Sequence, residues 1–242
     1  MKTVIVDSNG QYVRDCETGE IGVVAVRGIN VFPGYLQPEH NAKVWLGDGW
    51  FNTGDLGRLD ADGYCWLTGR EKELIIRGGH NIDPGMIEDA LYKHPSVELA
   101  AAVGRPDPYS GEVPMAYVSL RAGATATPEE LLSHCEATVG ERAAVPKEIR
   151  IIDSIPLTTV GKIFKPQLRW DATVNVFTRE LAAIGDLTEK VEVTCGEDKV
   201  YGTLAKIAIW PKPGVSAATI EQRVNQVLGL YTVKYTLDIR QG

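Results

Sequence analysis

The sequence predicts an α+β protein in three successive parts: the end of a β-rich subdomain, a small α+β domain, and a carboxyl-terminal extension of ββαβ order. Three observations predict it. Residues 3–67 read as β, with short apolar runs closed by Gly, Asn and Asp turns. Residues 73–170 alternate strand patterns with two helices that carry clear start signals. Residues 171–242 run strand, strand, helix, strand after a helical stretch. The expected boundaries are 1–68, 69–170 and 171–242, and 242 residues suffice for two or three cores.

In the first part, Val4 to Val6 is a strand ended by the turn Asp7-Ser8-Asn9-Gly10. Ile21 to Arg27 is apolar on both faces, as a strand buried on both sides must be. Asp60-Ala61-Asp62-Gly63 turns the chain into Tyr64-Cys65-Trp66-Leu67, a hairpin. Trp45, Trp50, Phe51 and Trp66 read as core.

In the second part, Leu74 to Arg77 is a strand followed by Gly78-Gly79. Asp83-Pro84 opens a helix, with Asp as the cap and Pro at the first helical position; His94-Pro95 ends it. Strands Leu99–Gly104 and Met115–Arg121 flank a turn at Pro106-Asp107-Pro108. Thr127-Pro128-Glu129-Glu130 starts a second helix close to a capping box, with the stripe Leu131, Leu132, Cys135 and Val139. Strand Glu148–Asp153 follows, then the loop Pro156-Leu157-Thr158-Thr159-Val160-Gly161-Lys162-Ile163-Phe164-Lys165.

In the third part, Phe177, Leu181 and Ile184 recur at helical spacing. Val191–Val193, Leu204–Trp210, a helix near Ala217–Leu228 and Tyr231–Ile239 complete it. That order repeats the order of residues 97–153, with a Gly turn before each helix, which reads as a degenerate internal duplication. Unrelated small α+β modules share the same outline, so both readings stand at this stage.

Composition narrows the function. A formal net charge of −7 argues against a general binder of nucleic-acid backbone. Cys16, Cys65, Cys135 and Cys195 are scattered without a CxxC pair or a His at metal-ligand spacing, and fit thiols in a reducing cytoplasm. No segment approaches the run of apolar residues that spans a bilayer, and the first residues lack the apolar stretch of a signal peptide.

Three stretches carry chemistry in company: Trp50-Phe51-Asn52-Thr53-Gly54-Asp55, Thr68-Gly69-Arg70-Glu71-Lys72-Glu73-Leu74-Ile75-Ile76-Arg77-Gly78-Gly79, and the loop holding Lys162. A lysine after a glycine in a turn-rich loop is a movable, compact positive charge. Together these motifs resemble the carboxyl-terminal part of the acyl-adenylate-forming (AMP-binding) family, which holds acyl- and aryl-CoA synthetases, firefly luciferases and adenylation domains of peptide synthetases. The resemblance runs from about Val4 to Arg169. It implies an ATP-dependent acid–thiol ligase that joins a carboxylic acid to ATP, then passes the acyl group to coenzyme A. It further implies that Lys162 bridges the substrate carboxylate and the phosphate, that Asp55 and Arg70 hold the ribose of ATP or AMP, and that Lys165 supports the loop. Lys72 stands at the family's hinge, about which the small domain rotates between the two half-reactions. The resemblance also implies that Gly78 and Gly79 face the pantetheine of CoA. The form Arg-Gly-Gly-His-Asn-Ile-Asp-Pro is closer to fatty-acyl and aryl CoA ligases than to peptide-synthetase domains. Met86 departs from the pattern, standing where relatives carry Glu.

The family's phosphate-binding loop, its magnesium-holding acid and its acyl pocket do not occur in these residues. The chain therefore reads as a fragment, inactive alone, whose partner is the amino-terminal domain of the same enzyme; Mg2+ would be bound there. A free-standing interaction module of the same fold, or a piece of a peptide-synthetase adenylation domain, are the alternative readings. Exposed strand edges in residues 3–67 invite pairing with another chain, so a homo-oligomer is compatible with the sequence.

Overall fold

A computed structural model of the chain describes every residue except Ser8, Lys43, Glu71, Lys72, Gln241 and Gly242. The described residues form two compact units, Met1–Leu74 and Ile75–Gly242.

Turns cut the first unit into five strands: β1 (Lys2–Val6), β2 (Tyr12–Asp15), β3 (Gly22–Val26), β4 (Phe51–Leu59) and β5 (Cys65–Arg70). They form one antiparallel sheet in the order β2-β1-β3-β4-β5. The all-apolar β3 lies in the middle, and Val23 and Ala25 join Val4 and Leu56 in the core. Gly22 permits the close approach of β1: a Cβ there would lie 2.5 Å from the Val4 carbonyl oxygen and would also collide with Cys16 Sγ. One sequence expectation fails here. Phe32 and Trp45 each meet Phe51 edge to face, but Trp66 is 55% exposed and donates its indole N–H to Asp60 Oδ2 at 2.7 Å. A carboxylate in the preceding turn satisfies the ring at the surface, so it takes no part in the core.

The second unit contains β6 (Ile75–Arg77), β7 (His80–Ile82), α1 (Pro84–Tyr92), β8 (Val97–Asp107), β9 (Gly111–Leu120), α2 (Pro128–Thr138), β10 (Glu148–Ile151), α3 (Lys165–Leu181), β11 (Thr188–Asp198), β12 (Gly202–Pro211), α4 (Ala217–Leu228) and β13 (Lys234–Ile239). Its first sheet runs β10-β9-β6-β7, with β8 on the remaining side of β9. Period-two alternation divides the apolar run of β8 and β9 between two cores. Ala100, Ala102, Ala116 and Val118 meet α1 and α2 through Ile87, Leu91, Leu131 and Cys135. Ala101, Val103, Met115 and Tyr117 meet α3 through Leu168 and Ala172. The sheet is thus the middle of three layers. Both expected helix caps form: Asp83 Oδ1 accepts from the Gly85 N–H, and Thr127 and Glu130 make a reciprocal capping box. Burial pushes the Cys135 thiol up to about 11, so it is an inert core thiol.

Beneath α3, Glu148 bridges Arg105 (2.6 Å) and Arg150 (2.7 Å), and Arg150 reaches Asp171 at 3.4 Å. Burial alone would raise the Glu148 carboxyl, but the two guanidinium groups outweigh it and hold it below the usual carboxylate range. Tyr117 goes the other way, pushed up by burial and by the carboxylate of Asp171 that its hydroxyl donates to at 2.7 Å.

Helix α3 continues into the extension. Its later residues Val176, Phe177 and Leu181 are in the core of a second sheet, β11-β12-β13, with Ile207, Ile209, Ile220, Val224 and Leu228. The opposite face of that sheet is polar, with Trp210 sandwiched between the cations of Lys190 and Arg240 at 4.9 Å each.

The two halves of this unit share their architecture in detail. Each is a helix, an antiparallel hairpin, a second helix and a strand parallel to the hairpin's second arm. Each first arm carries a register shift two residues from its start, at Val97/Leu99 and at Thr188/Lys190. Each hairpin turn opens on an Asp whose Oδ1 accepts two backbone N–H groups, from Tyr109 and Ser110 at Asp107, and from Val200 and Tyr201 at Asp198. Each turn closes on a glycine in the left-handed region, Gly111 (φ 77°) and Gly202 (φ 73°). The strands extend further than sequence pattern reaches, because these Asp-to-Gly turns place polar residues inside the ladder.

Candidate functional site

The lysine loop is a small hairpin. Leu157 bridges Ile163, the Thr158 N–H donates to the Lys162 carbonyl at 2.6 Å, and the Lys162 N–H donates to Thr158 Oγ1 at 3.1 Å. Gly161 takes φ 78°, which a side chain would strain. The Phe164 N–H closes the base on the Pro156 carbonyl at 2.8 Å. Below the base, Ile155 is buried at 4% exposure and Ile163 packs on the same core. The hairpin thus presents Lys162 to solvent from a fixed stem, and the Lys162 ammonium has no ion-pair partner among the described residues.

Lys165, the first residue of α3, is anchored. Its Nζ lies 2.8 Å from Glu88 Oε1, with the two side chains only 13% and 18% exposed. Glu88 Oε1 also accepts the backbone N–H of Ala102, in β8, at 2.8 Å.

Gly78 and Gly79 form the two-residue turn between β6 and β7, with φ of 56° and 88°. A turn with both central residues left-handed matches strand twist and favours glycine. A Cβ at either position would meet nothing within 4 Å, so these glycines stand beside open space. Sequence reading expected a strand and then a loop here; the tight turn instead creates β7. Next to it opens a cleft of about 1000 Å³ whose lining includes Arg77, Gly78, His80, Arg142 and Lys147. Arg77 is fixed by donating to the Ala143 carbonyl at 2.6 Å. Glu136 is the one carboxylate among the described lining residues. Sequence reasoning missed this basic cleft, since its cations are spread from residue 77 to residue 147 with no spacing signature. Met86 lies at the surface of α1, 36% exposed.

In the first unit, Asp55 and Arg70 are register partners on β4 and β5, and Arg70 Nε lies 3.0 Å from Asp55 Oδ1. Asp55 leaves a bulge in which Gly54 takes φ 73° and its N–H donates to Asn52 Oδ1. The structure therefore brings together the two residues assigned to the ribose. Lys72 lies outside the described residues. No group of three or more His, Cys, Asp or Glu able to hold a metal occurs among the described residues. No helix among them is long and apolar enough to cross a membrane.

Residues 86–162 match the family described as the AMP-binding enzyme C-terminal domain. Curated proteins similar to the chain include CoA ligases. The chain is 45% identical over 230 residues to the marinolic acid–CoA ligase of Pseudoalteromonas sp. strain SANK 73390, covering 94% of this chain and 35% of that protein. It is 44% identical over 151 residues to the sulfoacetate–CoA ligase of Cupriavidus necator, covering 62% and 30%. Among solved structures, ATP-bound MatB from Rhodopseudomonas palustris aligns with TM-score 0.63 at 33% identity, over 69% of this chain and 33% of that one. The o-succinylbenzoate CoA synthetase MenE of Bacillus subtilis, in complex with its acyl-adenylate OSB-AMP, aligns with TM-score 0.63 at 31% identity, over 70% and 33%. The chain spans about a third of the length of the relatives it matches. The match to the marinolic acid relative, at 94% of this chain, includes most of residues 171–242.

Proposed function

We propose that this chain supplies the carboxyl-terminal part of an ATP-dependent, AMP-forming acyl-CoA synthetase. The observation that carries the reading is Lys162 held exposed on a hydrogen-bonded hairpin inside an AMP-binding C-terminal domain. In the first half-reaction a carboxylate oxygen attacks the α-phosphorus of ATP and pyrophosphate leaves. Two anions must approach, and the Lys162 ammonium offsets their repulsion in a site closed to water. Asp55 accepts from the ribose hydroxyls, and Arg70, already aligned by that carboxylate, donates beside it.

In the second half-reaction the CoA sulfur attacks the acyl carbonyl and AMP leaves. Gly78 and Gly79 admit pantetheine because no side chain fills the space beside them. The neighbouring cleft with Arg77, Arg142 and Lys147 suits the phosphates at the other end of CoA. Lys72 serves as the pivot between the two arrangements. The phosphate loop, acyl pocket and magnesium site belong to an amino-terminal domain working with this chain, and a fatty-acyl or aryl acid is the substrate class. A cytoplasmic setting is supported by four cysteines standing as free thiols. Residues 171–242 are read as a second, non-catalytic copy of the helix–hairpin–helix–strand unit, supported by the matched bulges and turns.

The test is Lys162→Ala in the full-length enzyme. Carboxylate-dependent ATP–pyrophosphate exchange should fall by about 10²–10³, while acyl-CoA formation from supplied acyl-adenylate stays near its original rate. Equal loss in both assays would overturn the role given to Lys162.

A further inference from the structure

Helix α3 begins badly by ordinary rules. Its N-cap, Phe164, makes no side-chain capping bond, and no acidic residue stands in its first turn. Its first residue is a cation, which the positive end of the helix dipole disfavours. Yet this start closes the lysine hairpin, three residues beyond Lys162. What offsets the mismatch comes from outside the helix. Glu88, on α1, places one carboxylate oxygen 2.8 Å from Lys165 Nζ and 2.8 Å from the Ala102 nitrogen. Ala102 is fully buried, so its N–H needs that acceptor and fixes the carboxylate in return. The ion pair is largely out of water, where charge attraction is strong and breaking it leaves an uncompensated charge.

We infer that Glu88 is a positioning residue for adenylation: held to β8 through Ala102, it grips Lys165 and thereby fixes the end of the hairpin that carries Lys162. The inference rests on the function proposed above for Lys162. It makes no equivalent demand on the glycine turn, which has anchors of its own. Ile75 and Ile82 beside it are fully buried, the Gly78 N–H donates to the Ser110 carbonyl, and Arg77 is tied to Ala143. Loosening Lys165 should therefore misplace the ammonium and leave the CoA side in order. Because the ammonium acts on charge that develops in the transition state, the loss should fall on kcat, with KM for ATP and acid nearly unchanged.

The experiment uses the full-length enzyme with Glu88→Gln, Lys165→Met, both together, and Lys165→Arg. Gln keeps an acceptor for Ala102 and removes the charge. Glu88→Gln and Lys165→Met should each lower kcat of ATP–pyrophosphate exchange about tenfold to a hundredfold, the range for a misplaced reacting group. Acyl-CoA formation from supplied adenylate should stay within about twofold, the double variant should be no worse than the poorer single one, and Lys165→Arg should recover most of the rate. Parallel loss of both half-reactions means a structural role and overturns the inference. So does unchanged exchange in Lys165→Met, whether or not Glu88→Gln folds. If Lys162→Ala itself leaves exchange intact, the proposed function fails first, which is a distinguishable result.

Discussion

Replacing Phe177 by Ala tests whether α3 binds the two halves of the second unit into one folding body. The ring is fully buried, edge to face with Tyr231 at 5.5 Å and Tyr235 at 6.3 Å. Truncating such a ring costs about 3–5 kcal/mol, towards the upper end here because two aromatic partners are lost as well. For a body of this size each kcal/mol moves the midpoint roughly 2–4 °C, giving a fall of about 10 °C or more. The same helix holds Leu168 and Ala172 in the first core and Val176, Phe177 and Leu181 in the second. A rod of 17 residues spans about 25 Å and cannot melt at one end without exposing the other core. Hydrogen exchange across a denaturant series should therefore show β8–β9 and β11–β12 losing protection together, both earlier in Phe177→Ala. Protection in β8–β9 that is unmoved while β11–β12 opens would refute the shared-helix argument.

Two further outcomes are expected. In the full-length enzyme, Arg142→Ala and Lys147→Ala should each raise KM for CoA about tenfold, the worth of one charge-assisted contact, with pyrophosphate exchange unchanged; steady-state kinetics with varied CoA decides it. Stability should also respond to acid through Glu148. Its folded carboxyl titrates below its unfolded value, so the folded state binds fewer protons, and its contribution is present above the unfolded value near pH 4.3 and lost as pH falls through the folded one. Urea midpoints measured between neutral pH and pH 3 should fall less steeply in Glu148→Gln than in the parent.

The helices were legible because their signals are local. Asp83-Pro84 and Thr127 with Glu130 satisfy backbone donors within one turn, so capping reads directly from neighbours in sequence. Ala217–Leu228 was read to both ends, its apolar residues four apart at Ile220, Val224 and Leu228. The α+β class followed from the same signals. Strand lengths were not legible, since Asp107 and Asp198 look like breakers until their carboxylates are seen folding the turn inward. The start of α3 was hidden for a related reason: Lys165 is a poor first residue in isolation and is satisfied by Glu88, 77 positions away. Trp66 was misplaced because aromatic bulk suggests burial, whereas an indole N–H with a carboxylate at hand is content at the surface. At the candidate site, Lys162, Gly78 and Gly79 stood out because glycine spacing marks the turns that hold them. Arg77, Arg142 and Lys147 did not, because only the folded sheet assembles them.

The polar outer face of the β11-β12-β13 sheet has a mechanical consequence. Helix α3 starts at the stem of the lysine hairpin and ends in the core beneath that sheet, so in the rotation proposed above for the hairpin the distant sheet would travel with it.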